Sequence, residues 1–186
     1  SVIPMNAEDA DEQDEALVIQ GKLKQTDRLE KLPDALRRAV LYFLCVCVYR
    51  DVTEADANNS SMLVHIARYR KVQNQLTRLI KETVDQLVLF AECESKRDTP
   101  ETRSNPLYRE LESLWNEGCR EELWYEDPTM GQAPKTLREL SGRTWEKVWR
   151  SRFAKVIKDV RVVEVNMDSK IKSLSKYYEP KNAKLI

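Results

Sequence analysis

Apolar residues at helical spacing dominate the middle of the chain, directly after a short continuous apolar run. The run from Met62 to Ile66 follows a polar turn at 58–61 and predicts a buried strand near 62–67. The periodic residues after it predict one amphipathic helix, which we expect to cover that strand as half of a parallel α/β unit. The helical stripe consists of Val72, Leu76, Leu79, Ile80, Val84, Leu87, Val88 and Ala91.

Another helix is predicted before this unit, beginning at Leu32-Pro33-Asp34. Proline is tolerated in a first helical turn because its missing N–H would be unpaired there, and Asp34 meets the positive end of the helix dipole. The body of this helix, residues 35–50, is apolar on nearly every side. We therefore expect it to be packed all round.

The segment 160–165 is rich in β-branched residues and predicts a second strand. Two buried strands joined through helices imply parallel pairing with a right-handed crossover, so we expect them to be neighbours in one sheet. Because far more chain separates them than a crossover needs, residues 93–142 are predicted to form a helical insertion. The predicted fold class is α/β and predominantly helical, with a small parallel sheet covered by helices.

The remaining segments complete a division into four parts. Residues 1–30 are crowded with acidic side chains and predict a solvated linker, since a calcium loop needs stricter oxygen spacing. Residues 31–92 carry the first helix and the strand-helix unit, 93–142 the insertion, and 143–186 a helix, the second strand and a basic tail. The final residues, 183–186, resemble the start of a further strand. We therefore expect the chain to be a piece of a longer protein.

Composition narrows the class of protein without identifying a partner. The 31 Lys and Arg residues balance 31 Asp and Glu, so net charge argues neither for nor against nucleic acid. A charged fraction of 33% with only four glycines favours helices. We expect no signal peptide, and the longest apolar stretch, 39–49, is too short for the roughly twenty residues that span a bilayer. We expect no membrane partner and a cytoplasmic location.

The cysteine and histidine pattern argues against a metal site. Cys45, Cys47, Cys93 and Cys119 form no C-x-x-C pair, and His65 is the single histidine. A tetrahedral zinc site needs four closely grouped Cys or His ligands, so no metal ligand is expected. Cys45 and Cys47 lie in an apolar helix, where a reduced cysteine usually acts as a small core residue.

Catalytic motifs are missing from the sequence. There is no G-x-x-x-x-G-K-[ST] phosphate loop, because the four glycines are isolated. A single histidine excludes nuclease sites built on two, and Asp159 and Glu164 lack the lysine that many restriction nucleases place two residues after the glutamate. We therefore expect no catalytic residue. His65 has three interpretations: a packed strand residue, a ligand contact at the carboxyl end of a parallel strand, or a catalytic base.

Two groups of cations are candidates for contact with nucleic acid. The start of the central helix is basic, with no acid before Glu82, and a helix amino end at Ala67-Arg68 offers free N–H groups to a phosphate. Its cations are Arg68, Arg70, Lys71, Arg78 and Lys81. The second group, including Lys147 and Arg150, lies on the polar side of a predicted helix over 144–159. A solvated charged face is the alternative interpretation of both groups.

The four tryptophans have two possible roles. They could stack on bases, but Trp115, Trp145 and Trp149 accompany apolar residues at helical spacing, which favours core packing. Trp124 with Tyr125, beside a proline-containing loop, is the pair for which we expect an exposed patch.

Several of these segments together resemble one family. The similarity is to a motif of the Z1 domain, a domain that is named as an endonuclease domain. The motif consists of Ser61-Met62-Leu63-Val64-His65, followed by Arg68-Tyr69 and Val72-Gln73. Leu32-Pro33 and residues 35–43 resemble the family's helix before this strand, and 162–166 resemble the strand after its insertion. The resemblance spans residues 32–186.

This resemblance implies a role inside a larger motor protein. The domain occurs in bacterial and phage proteins with a superfamily-two helicase-like ATPase core, often in restriction-modification and related defence. Residues 61–91 would then begin the second motor lobe. Ala67, Arg68 and Arg70 would lie near a backbone phosphate. The chain departs from the family pattern here, because relatives tend to have a small hydroxyl residue at 67–68. His65 and Gln73 match the family pattern without an assigned role. ATP and Mg are expected only for the full-length protein, whose nucleotide motifs would lie outside 1–186.

Two hypotheses of different classes follow. In the first, the chain is a non-catalytic part of such a protein that contacts DNA weakly and docks on the remaining motor lobes. In the second, the inserted helices over 93–142 form a protein-interaction module for a partner or a second copy of the chain. The candidate DNA contacts are Ala67, Arg68, Arg70, Lys71, Lys147 and Arg150.

Overall fold

The computed structural model describes residues 28–53, 60–64, 70–97, 99–117, 136–163 and 184–186. Within these ranges the chain is mostly helical around a three-stranded parallel sheet, which confirms the predicted fold class. Most of the predicted acidic linker lies outside the described residues. The helices are α1 (Asp34–Thr53), α2 (Arg70–Glu94), α3 (Pro100–Ser104), α4 (Pro106–Glu117), α5 (Leu137–Ser141), α6 (Trp145–Val148) and α7 (Ala154–Lys158), with a π-helical turn (Trp149–Phe153) between the last two; the strands are β1 (Ser60–Ser61), β2 (Val160–Arg161) and β3 (Lys184–Leu185).

Helix α1 is the element against which most other helices pack. It begins where proline and Asp34 predict, and the Arg37 N–H donates to the Pro33 carbonyl oxygen at 2.8 Å. Its buried side, which includes Val40 and Leu44, contacts α4, α5 and α7. The prediction that this helix is packed all round is confirmed for residues 40–52, none of which is exposed, and is wrong for its start, where Ala35 and Ala39 are exposed. The physical reason is that the neighbouring elements cover the body of α1 but not its first turns.

Helix α2 confirms the predicted amphipathic stripe. Every residue of the stripe is buried except Val88, which is partly buried. The buried side packs against α7 and α1, and the polar side is exposed to solvent. The single apolar face has therefore set the orientation of this helix, as the period predicted.

The sheet has the order β1-β3-β2, and both pairings are parallel. Ser60–Ser61 and Val160–Arg161 each pair with Lys184–Leu185, which confirms the further strand expected near the end of the chain. The prediction that the first two strands are neighbours is wrong, because β3 lies between them. Both residues of β3 are buried, and the most buried strand takes the position with partners on both edges.

The paired parts of β1 and β2 differ slightly from the predicted spans. β1 pairs two residues before 62–67, and the Met62 N–H continues the ladder by donating to the Leu185 carbonyl oxygen at 2.9 Å. On the other edge, the Val163 N–H donates to the Ile186 carbonyl oxygen at 2.8 Å beyond β2. Residues 65–69 and 164–183 lie outside the described residues.

The helices α3, α4 and α5 lie between the two predicted strands in sequence, where the insertion was expected. Their apolar side chains, including Tyr108 and Trp115, are buried in the same core as α1 and α2. The predicted capping box at the start of α5 is confirmed: Thr136 Oγ1 accepts from the Glu139 N–H, and Glu139 Oε2 accepts from the Thr136 N–H. Gly142 ends α5 with a φ of 61°, a conformation that favours glycine.

The described helices bear on the expectations about a membrane span and about the cysteines. None of them is long and apolar enough to cross a membrane. Cys45 and Cys47 are buried free thiols, as expected for small core residues, and Cys93 is an exposed free thiol. Cys119 lies outside the described residues.

Candidate nucleic-acid interface

One continuous helix, 145–158, carries the clearest division between an apolar and a cationic side. It is formed by α6, the π-helical turn and α7, which follow one another without a break. Its apolar side is buried in the core, and its basic side chains are exposed. The buried residues are Trp145, Val148, Trp149, Phe153, Val156 and Ile157; the exposed cations are Lys147, Arg150, Arg152, Lys155 and Lys158.

The π-helical turn keeps these two sides aligned along the helix. In an α-helix, residues four apart drift around the axis by about 40°, because one turn holds about 3.6 residues. A π-helical turn holds more residues than an α-helical turn, so a step of four residues within it falls short of a full turn and offsets that drift. Trp145, Trp149 and Phe153 therefore share one buried side, and Lys147 and Lys155 stay on the solvent side.

Aromatic packing beneath the helix fixes its orientation. Phe90 of α2 lies against Trp149 with ring centroids 5.6 Å apart, and Tyr108 of α4 meets Trp149 edge-on at 5.1 Å. Trp115 donates from Nε1 to the Arg143 carbonyl oxygen at 3.1 Å, just before the helix. Such edge-to-face contacts have preferred geometries, so they hold the exposed cations on a rigid support.

Some of the cations are partly neutralised by acids from other elements. Arg152 lies 3.7 Å from an Asp51 carboxylate oxygen, and Lys158 donates to Glu92 at 2.8 Å. The hydrogen bond and charge of Glu92 raise the pKa of Lys158, and Lys158 in turn lowers the pKa of Glu92. The Lys158–Glu92 pair is solvent-exposed and therefore weak, and Arg152 makes no hydrogen bond to the buried Asp51 oxygen. Lys147 and Lys155 contact no carboxylate in the part of the chain that the structure describes.

Glu146 is shared by two arginines from different parts of the chain. Its Oε1 accepts from Arg103 Nη2 at 2.6 Å and lies 3.4 Å from Arg150 Nη2. Arg103 belongs to α3, so this carboxylate joins the inserted helices to the helix 145–158. Sequence reasoning did not select Arg103 or its neighbour Arg109, because they lie in a mixed charged segment without a periodic basic pattern.

The candidates on the central helix are only partly within the described residues. Arg70 and Lys71 are the first two residues of α2 and are both exposed, while Gln73 is partly buried. There is no acid in the first turn, so their charge adds to the positive end of the helix dipole. His65, Ala67 and Arg68 lie outside the described residues.

The structure does not bring the two groups of cations together. Phe90, which contacts Trp149, lies near the carboxyl end of α2, whereas Lys71 lies at its amino end. At the rise of an α-helix, the part of α2 from Lys71 to Phe90 is about 28 Å long. The two groups are therefore separate cationic surfaces linked by one rigid helix.

The tryptophans and the possible metal ligands do not add to this interface. Trp115, Trp145 and Trp149 are buried, so the core interpretation is confirmed for them, and Trp124 lies outside the described residues. Among the residues that the structure describes, no group of His, Cys, Asp and Glu side chains could hold a metal ion.

Comparison with known proteins identifies one family. The family model of the Z1 domain matches residues 35–186, a range that includes all the helices after the start of α1 and all three strands. No curated protein and no solved structure matches the chain. The family match covers most of the sequence and agrees with the resemblance drawn from the strand-helix unit. The chain belongs to the Z1 domain family.

Proposed function

We propose that this Z1 domain contributes contacts to the DNA backbone within a larger helicase-like, ATP-dependent protein of DNA restriction or defence, and that the chain itself carries no catalytic group. The observation that supports this most directly is the exposed cationic side of helix 145–158, held on buried tryptophans. Lys147 and Lys155 supply charge that no described carboxylate offsets. The start of α2, with Arg70 and Lys71, supplies the second contact.

The fold is suited to such a role. Parallel sheets covered by helices bind their ligands at the ends of strands and the amino ends of helices, and α2 begins shortly after β1. A helix amino end with two cations and no acid attracts an anion such as a phosphate. Phosphate contacts of this kind are independent of base sequence, so the proposed binding is non-specific.

The proposal is tested by titrating the chain into labelled duplex and single-stranded DNA and following fluorescence anisotropy. Because bound cations release counterions from the DNA, we expect affinity to fall steeply between about 50 and 200 mM salt. Lys147→Gln combined with Lys155→Gln should weaken binding and reduce the salt slope by about two. The absence of binding to either DNA at low salt would contradict the proposal.

A matched control separates local contact from net charge. Lys81 is exposed on α2, ten residues and therefore about 15 Å along the helix from Lys71, and is not one of the proposed contacts. Lys81→Gln should therefore change affinity much less than Lys147→Gln, although both remove one charge. Lys71→Glu should weaken DNA binding while raising Tm by about 1–3 °C, because an acid suits the first helical turn better than a cation. At constant free Mg and ionic strength, ATP should change none of these affinities, since we assign nucleotide binding to other parts of the full-length protein.

A further inference from the structure

An open recess lies at the corner between α3 and α4. Its lining residues are Pro100, Arg103, Ser104 and Arg109, and its volume is about 420 Å³. Two of the four described lining residues carry a permanent positive charge, and there is no acid among those four. A concave surface with this composition suits an anion with several oxygen atoms.

The side chains around the recess are held in place by hydrogen bonds. Arg109 donates from Nε to the Arg103 carbonyl oxygen at 3.2 Å, and the Ser104 hydroxyl donates to the Glu101 carbonyl oxygen at 2.8 Å. The terminal nitrogens of Arg109 contact no carboxylate within the described ranges. A guanidinium positioned by Nε has its two terminal N–H groups available as a fork, the geometry that suits a phosphate.

Glu146 lies at the edge of this cationic site, since it bridges Arg103 and Arg150. A carboxylate held between two arginines occupies the kind of position that a phosphate oxygen would take. The recess is thereby connected through Glu146 to the cationic side of helix 145–158. Arg109, on the other side of the recess, bonds through Nε to the carbonyl oxygen of Arg103 and not to Glu146.

We infer that the recess formed by Arg103, Ser104 and Arg109 binds a phosphate group of the nucleic-acid backbone, and that Glu146 competes with that phosphate for Arg103. The inference rests on the proposed function, because the recess extends the surface that carries Lys147. It assigns opposite effects to two neighbouring side chains. Arg109 strengthens binding, and Glu146 weakens it.

The test measures binding of the whole chain to a labelled oligothymidylate of about 15 nucleotides and, separately, to inorganic pyrophosphate. Arg109→Gln should weaken oligonucleotide binding about fivefold and reduce the salt slope by about one. Glu146→Gln should tighten binding about threefold, because it removes a negative charge that competes with the phosphate for Arg103. A variant that fails to fold cannot bind more tightly, so the second substitution guards against a false positive from misfolding.

The exposed ion pair Arg78–Glu82 on α2 provides matched controls, since its side chains are 54% and 50% exposed, against 50% and 49% for Arg103–Glu146. Arg78→Gln and Glu82→Gln should each leave affinity within about twofold of the unchanged chain. If Arg109→Gln equals Arg78→Gln, or Glu146→Gln equals Glu82→Gln, while the chain still binds DNA, the recess is not a phosphate site and the proposed function stands. Pyrophosphate binding that needs Arg109, without DNA binding, would keep the recess and overturn the proposed function. Binding of neither probe would overturn both.

Discussion

Trp115 and Trp149 are both fully buried, but their indole N–H groups differ in environment. Trp115 donates to the Arg143 carbonyl oxygen at 3.1 Å, whereas Nε1 of Trp149 has no acceptor among the described residues. A buried donor without a partner costs free energy, and a satisfied one does not. The two residues therefore stabilise the same core to different extents.

This difference predicts unequal effects of the same substitution. Trp115→Phe should lower the free energy of unfolding by about 1–2 kcal/mol more than Trp149→Phe, because only the first leaves a carbonyl oxygen unpaired. Urea unfolding followed by far-ultraviolet circular dichroism measures both values. Equal losses, or a larger loss for Trp149→Phe, would contradict the assigned hydrogen bond.

Cys47 carries a pH dependence because its thiol is buried. Burial raises its pKa from 9.0 to about 11, although nearby Lys184, Ser60 and Arg50 oppose part of that rise. Since the folded state favours the neutral thiol, its contribution to stability is complete below pH 9.0 and is lost as pH rises through about 11. Burial also raises the pKa of Cys45, so its effect has the same sign.

We therefore expect the free energy of unfolding to fall between pH 9.0 and about 11, and to fall less steeply in Cys47→Ala. Other groups titrate in this range, so the comparison is between slopes. Cys93→Ala, which removes an exposed thiol, is the matched control and should keep the slope of the unchanged chain. A Cys47→Ala slope equal to that of the control would refute the prediction.

Among the elements, α2 was the most predictable and the sheet the least. The stripe from Val72 to Ala91 is a local pattern with one solution, an amphipathic helix on a core. Strand order depends on hydrogen-bond partners distant in sequence, so nothing near 62 or 162 indicated that β3 would separate the two strands. The exposed start of α1 escaped prediction for a similar reason, since its apolar residues do not indicate which elements will pack against them.

The central position of β3 predicts a disproportionate effect of removing three residues. Deleting 184–186 removes the partner of both β1 and β2, including the bonds from the Met62 and Val163 N–H groups. Leu185→Ala removes only side-chain packing and should cost about 2–3 kcal/mol. We expect the deletion to lower the free energy of unfolding by clearly more, as measured by urea denaturation. A deletion no more harmful than Leu185→Ala would mean that the pairing contributes little.

For the whole molecule, the sequence indicated which cations lie together on a helix but not which acids meet them. Lys147 and Arg150 were selected from the pattern of one helix, and both are exposed. Arg103 reaches Glu146 across 43 positions of sequence, and only the tertiary fold reveals that link. The recess at Arg109 was unpredictable for a different reason, since its described lining is local, within 100–109, but follows no helical period that would place Arg103 and Arg109 together.

The alternative function, a protein-interaction module over 93–142, remains a prediction that can be tested by mass. Four apolar residues of the described helices in this region are buried within the core and are therefore not exposed to a partner. They are Tyr108, Leu111, Leu114 and Trp115. We expect light scattering after gel filtration to give the mass of a monomer, independent of concentration. A concentration-dependent dimer lost on changes within 93–142 would favour the interaction module instead.

The position of β3 also has a consequence for how the protein is made. A ribosome releases β1 and β2 before the strand that joins them, so during synthesis neither has its partner. The helical part, in contrast, can begin to pack as soon as α1 and α2 emerge. Folding during synthesis should therefore proceed in two stages. The helices pack first, and the strands pair late and slowly, so the new chain is exposed to aggregation until they do.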